Sequence, residues 1–135
     1  MKYTSGYKYQ LHEDYECQTC IKPPEDIGTR FINLKKDGAL RVLSGYAWDG
    51  PSGPTIDTKT FMRGSLIHDA LYQLIRTCQL PQGCRDKADD ELKKACLEDG
   101  MNRLRAWLVY RAVRKFSGFA TAHKKEVFTA PSETE

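Results

Sequence analysis

"GSLIHDALYQLIR", residues 64 to 76, sets an adjacent histidine and aspartate into a segment whose other positions repeat like the buried stripe of a helix. From Phe61 to Arg76, Gly64, Ile67, Leu71, Leu74 and Ile75 recur at spacings of three and four, with His68 and Tyr72 among them. His68 and Tyr72 are four apart and share a face, whereas Asp69 is turned by about 100° toward a different neighbour. One helix therefore offers ionisable groups in two directions, and each direction needs a partner.

Residues 77 to 83, "TCQLPQG", break the period, and Cys84 to Asp99 predicts a second helix with Ala88, Leu92, Ala95 and Cys96 as its apolar stripe. Asp89 lies beside that stripe. Two helices joined by so short a turn run antiparallel, which brings Asp89 toward the level of His68. A buried carboxylate there must be paired. Asp89 accepting a hydrogen bond from one imidazole nitrogen fixes the tautomer and leaves the other nitrogen as a base, and Tyr72 is placed to hold the same carboxylate. Asp99-Gly100 ends the helix, and Met101 to Phe116 predicts a third with Met101, Leu104, Leu108, Ala112 and Phe116 on its packing face and arginines largely opposite.

Toward the N-terminus the period is that of strands. "RFINL" and "ALRVLSGYAW" flank "KKDG", where Asp37-Gly38 supplies the positive φ that a tight antiparallel hairpin needs. "KYTSGYKYQL" offers a further strand, and "CQTCIKPPEDIG", with two prolines, reads as loop. After Trp48, "DGPSGPTIDT" holds two Gly, two Pro and two Asp in ten residues. Either it is a connector in which Asp49 and Asp57 make Asx-turns, or it brings Asp49 to Asp69. Two carboxylates so placed repel unless a cation joins them, and oxygen ligands suit Ca²⁺, with Gly50 and Gly53 letting backbone approach the ion. A cation beside a histidine base suits ester hydrolysis: the base deprotonates water and the metal stabilises the oxyanion.

These elements predict one α+β domain over residues 1–125, an antiparallel hairpin or small sheet followed by three helices, with 126–135 a disordered tail. The 135 residues suffice to bury a core without metals or disulfides. Net charge is only +3, so nucleic acid is not an expected partner. The charge is uneven, however: Arg103 to Lys125 carries seven Lys or Arg and no acid, among Trp107, Tyr110, Phe116 and Phe119. Trp107 and Arg111 are thus candidate binding residues for an anionic membrane surface. The preferred alternative packs Trp107 or Tyr110 inward and leaves a solvated basic face.

No apolar h-region opens the chain and no stretch approaches the roughly 18 apolar residues of a membrane span, so a soluble protein without an export address is expected. The five cysteines cannot all pair, and reduced thiols are the default, with one or two disulfides as the alternative for a protein outside a cell. Zinc at Cys17, Cys20, Cys78 and Cys84 requires the N-terminal loop to fold over the helix turn. A metal phosphohydrolase of the HD type needs more histidines than His12 and His123 supply.

"HDALY" followed by "RDKADDEL" resembles the His-Asp-x-x-Tyr helix and the downstream Arg-x-x-Ala-Asp helix of small prokaryotic phospholipases A2, and "WDGPSG" is similar to their calcium loop. The resemblance spans about residues 48 to 97 and implies His68 as base, Asp89 and Tyr72 as its support, and Asp49, Gly50 and Asp69 at calcium. Where those enzymes carry a cysteine just before the His-Asp pair, this chain has Leu66 and Ile67. "GYAWDGPSGPTIDTKTFMRGSLIHDALYQLIR" and "EDGMNRLRAWLVYRAVRKFSG" resemble an uncharacterised family of small proteins encoded by tailed phages and prophages, over about residues 25 to 118. That resemblance implies a phage or prophage origin and supplies no established activity; expression in the host cytoplasm, the virion as a further location, and membrane lipid or other phage structural proteins as partners are the expectations that go with it. Two functions follow as expectations: a calcium-dependent phospholipase-A2-like hydrolase acting on host envelope lipid, or a non-catalytic virion or assembly protein that keeps the helix pair as a scaffold.

Overall fold

The computed structural model describes residues 1–4, 9–48 and 58–120. The chain divides into two compact units, the strands within Met1–Asp49 and the helices within Gly50–His123. Antiparallel strands followed by three helices make the α+β class that the sequence predicts. The connector at 49–57 and the tail at 126–135 lie outside the described residues.

In the strand unit, β1 (Tyr3–Thr4), β2 (Tyr9–Leu11) and β7 (Ala47–Trp48) form one sheet in the order β1-β2-β7. A second sheet has the order β3-β6-β5-β4, from β3 (Tyr15–Gln18), β4 (Ile27–Gly28), β5 (Ile32–Leu34) and β6 (Ala39–Val42). The foreseen hairpin is β5 with β6, pairing Ile32 with Val42 and Leu34 with Leu40. These four side chains are buried and Arg41 between two of them is exposed, the alternation of a strand with one face in the core. Gly38 takes φ +93° in the turn, where a Cβ would collide with the carbonyl oxygen of Thr19.

Two strand assignments need correction. "ALRVLSGYAW" is not one strand: the chain turns at 43–46 with Gly45 at φ +101°, and Ala47–Trp48 leaves for the other sheet to pair with β2. Asp14 secures this corner, accepting from the Ser44 amide at 2.8 Å and from Arg41 at 3.0 Å. The segment read as loop from Cys17 begins inside β3, because Cys17 and Gln18 pair with Leu40 and Ala39; the loop starts only beyond them, ahead of the two prolines.

The helices are α1 (Thr58–Arg76), α2 (Arg85–Glu98) and α3 (Arg103–Ala120). α1 ends in a Schellman motif: the amides of Cys78 and Gln79 donate to the carbonyls of Ile75 and Leu74, with Cys78 itself at φ +64°. α2 ends in the same way, with Gly100 at φ +101° and the Gly100 and Met101 amides on Leu97 and Cys96. Asn102 then caps α3 by accepting from the Arg105 amide at 2.8 Å.

α1 and α2 pack antiparallel. Arg63 meets Glu98 and Asp99 at one end of the interface, and farther along α1 His68 meets Asp89. Between these contacts Gly64 faces Leu92 and Cys96 so closely that a Cβ would lie 2.9 Å from Leu92 Cδ1. The absence of a side chain there sets the spacing of the pair.

The packing face of α3 is also a correction. Ala106, Val109 and Val113 lie against Leu92 and Cys96 of α2, joined by Met101 and by Phe61 of α1. Leu104 and Leu108 are exposed, and so is Ala112. The small Ala106 admits close approach of α3 to α2, and the larger leucines fall on the opposite side. The side chain of Phe116 lies outside the described ones. Among the described residues no helix is long and apolar enough to cross a membrane.

Candidate functional site

The α1/α2 interface holds a buried cluster of ionisable groups. His68 and Tyr72, one turn apart on α1, both reach the same oxygen of Asp89 on α2: His68 Nε2 lies 2.6 Å from Oδ1, and the Tyr72 hydroxyl donates to it at 2.5 Å. The two rings stand side by side, with centroids 4.0 Å apart. The second carboxylate oxygen, Oδ2, accepts from Arg114 Nη1 of α3 at 2.7 Å, and the same guanidinium nitrogen reaches Asp86 at 2.9 Å. Each of the three helices therefore contributes to this one carboxylate.

Burial and partners oppose each other at Asp89, which has no exposed surface. Desolvation alone would raise its pKa. The hydrogen bonds from His68 and Tyr72, the charge of His68 and the bond from Arg114 together outweigh it and hold the carboxyl below its ordinary value. Asp89 in turn holds Arg114 above its ordinary value, chiefly through their hydrogen bond. The ionised carboxylate is an acceptor only, so His68 donates to it through Nε2–H, and whenever the imidazole is neutral this leaves Nδ1 with its lone pair. The His68 side chain keeps 10 % of its surface exposed, so solvent reaches the ring while the carboxylate behind it is sealed. Chemically, this is an oriented base with a fixed tautomer.

Of the residues singled out in the sequence, His68, Asp89 and Tyr72 are brought together. Asp69 is partly buried, on the neighbouring aspect of α1. Asp49 and Gly50 lie outside the described residues, and among the described residues no group of three His, Cys, Asp or Glu side chains is arranged to hold a metal ion. Trp107 and Arg111 do not join the cluster: both are exposed, with the Arg111 guanidinium 5.2 Å over the Trp107 ring. Tyr110, the other aromatic expected to pack inward, is partly buried with Lys93 Nζ 5.3 Å from its ring centre.

Sequence reasoning missed Arg114 and Asp86. A signal was available, since Asp86 and Asp89 are three apart on α2 and share a face, and a carboxylate buried at a helix interface beside a second acid requires a cation. Cys96 lines the same helix pair as a buried thiol. Burial and, secondarily, Asp99 push its pKa up to about 12 against the opposing effect of Arg63, which makes it a packing residue and a poor nucleophile.

No protein-family model, no curated protein and no solved structure matches the chain.

Proposed function

We propose that the chain is a hydrolase in which His68, oriented by Asp89, is the general base for water attack on a carboxylic ester, in the manner of the small prokaryotic phospholipases A2 that its helix pair resembles. The observation that carries this reading is the 2.6 Å contact of His68 Nε2 with Asp89, which leaves Nδ1 as the basic nitrogen. In the reaction Nδ1 takes a proton from water as the water oxygen bonds to the ester carbon. The carbonyl π pair moves to its oxygen, and collapse of the tetrahedral species expels the alkoxide, which recovers the proton from Nδ1. Asp89 stays ionised and stabilises the imidazolium, and Tyr72 and Arg114 keep the carboxylate in place.

Calcium belongs to this reading through the resemblance. Asp69, an oxygen donor one position from the base, fits the chemistry of a Ca²⁺ ligand, with Asp49 and Gly50 as the further ligands of the proposal. When bound, the ion would supply positive charge to the developing oxyanion. The resemblance to tailed-phage and prophage proteins supplies the setting, a phage protein acting on host envelope lipid.

A second reading is supported by the same cluster. Asp89 is sealed and tied to all three helices, which suits a non-catalytic virion or assembly protein whose helix pair is a scaffold. Fatty-acid release from phosphatidylglycerol micelles, with calcium present, separates the two. The hydrolase requires release by the wild type and a loss of about 10²-fold or more in His68→Asn, measured where circular dichroism shows the variant folded. The scaffold requires no release by the wild type, with stability the only property that His68→Asn alters. Calorimetric titration with calcium of the wild type and Asp69→Asn tests the metal separately, since the proposal needs binding that the substitution removes.

A further inference from the structure

α3 carries apolar residues on two sides. Ala106 and Val113 face α2, whereas Leu104 and Leu108 lie about 160° from Ala106 around the helix. Leu104 is 65 % exposed, Leu108 51 % and Trp107, beside both, 45 %. Scattered apolar side chains on a surface are ordinary, but three adjacent large ones on one helix face mark a contact site.

Charge identifies what covers it. The stretch Arg103 to Lys125 has seven Lys or Arg and no acid, and Arg111 and Lys115 are exposed along the same side of the helix as the leucines. Leucines and a tryptophan interleaved with cations form the pattern of a helix that lies in a membrane interface: the apolar groups enter the acyl boundary, and the long basic side chains reach the headgroup phosphates. We propose that this outward face of α3 docks on an anionic lipid surface, with Leu104, Trp107 and Leu108 inserted and Arg111 and Lys115 on the phosphates. A second copy of the chain would bring like charges together across the same patch. A nucleic acid would use the cations and the aromatic ring but not the pair of leucines. This docking goes beyond the ester chemistry and does not depend on it, because the α3 residue that reaches Asp89 is Arg114, which is not one of the five docking residues.

The test is co-sedimentation of the full chain with vesicles of equal parts phosphatidylglycerol and phosphatidylcholine, and with phosphatidylcholine alone, in the presence of EDTA so that partitioning alone is read. Leu104→Ser with Leu108→Ser and Arg111→Gln with Lys115→Gln are the two double variants, and circular dichroism confirms that each is folded. The proposal expects partition onto the anionic vesicles only, weakened by salt and lowered about tenfold or more by either double variant. It is overturned if the wild type does not sediment with anionic vesicles, or if the leucine variant partitions as the wild type does. A leucine-dependent dimer that ignores vesicles, or an oligonucleotide bound in preference to them, overturns it in favour of self-association or nucleic acid.

Discussion

Arg114 of α3 donates to Asp89 Oδ2 at 2.7 Å, so the carboxylate that faces His68 from α2 is gripped from behind by the third helix. Replacement of Arg114 by Met keeps most of the side-chain volume and leaves Oδ2 of a buried carboxylate without its donor. A hydrogen bond to a charged group is worth about 1.5–3 kcal/mol, and a loss of that order is expected in urea denaturation. Arg114→Lys restores part of the loss, because an ammonium supplies the charge but not the reach to Asp86 and Asp89 together. Equal stability of the Met variant and wild type would show that the bond contributes nothing.

The depressed pKa of Asp89 makes a signed statement about acid. Its folded value lies below the ordinary 3.8, so its contribution is fully present above that ordinary value. Between the two values the unfolded chain binds the proton and the folded chain does not, so stability falls with pH and the contribution is gone below the folded value. Urea midpoints of the wild type and Asp89→Asn, followed from pH 6 toward pH 2, are expected to differ most at the upper end and to converge in acid. A gap that stays constant throughout would remove the linkage.

Gly64→Ala is expected to destabilise even though alanine is the better helix former by about 1 kcal/mol. The added methyl would stand 2.9 Å from Leu92 Cδ1 and 3.1 Å from both Cys96 Sγ and the Leu92 carbonyl oxygen. The leucine can rotate, but the carbonyl belongs to the backbone of α2 and yields only if the helices part. Overpacking of this kind costs about 1–3 kcal/mol, which offsets the propensity gain and shifts His68 relative to Asp89. Chemical denaturation reads the first effect, and the histidine ring resonances in an NMR spectrum read the second. A variant more stable than wild type would show that the interface relaxes freely.

The pairing of His68 with Asp89 was legible because it needs only two helical periods and a short turn between them, all local properties of the chain. The β5/β6 hairpin was legible for the same reason, through alternation and Asp37-Gly38. What failed depended on a third partner. Leu104, Leu108 and Ala112 form a better apolar stripe by volume than Ala106, Val109 and Val113, yet close packing on Leu92 and Cys96 selects the smaller set. The same rotation of α3 is what turns Arg114 toward Asp89, so misreading the face also hid the arginine. In the strand unit, continuous apolar spacing through Val42 and Tyr46 concealed a corner that is visible only once Ala47 and Trp48 find β2.

That corner ties the two sheets to one another in register. Across it, Tyr9 to Leu11 and Tyr15 to Gln18 run opposite Tyr46 to Trp48 and Ala39 to Val42, with residues 12 to 14 facing 43 to 45, three against three. The two sheets are thus lengths of one folded-over antiparallel ribbon. Because side chains alternate at every residue, an insertion on one side alone would turn Trp48 out of its place or strip Val42 from Tyr15. Chain length at this bend is therefore a paired quantity, and the ribbon accepts insertions and deletions there only as matched events on its two edges.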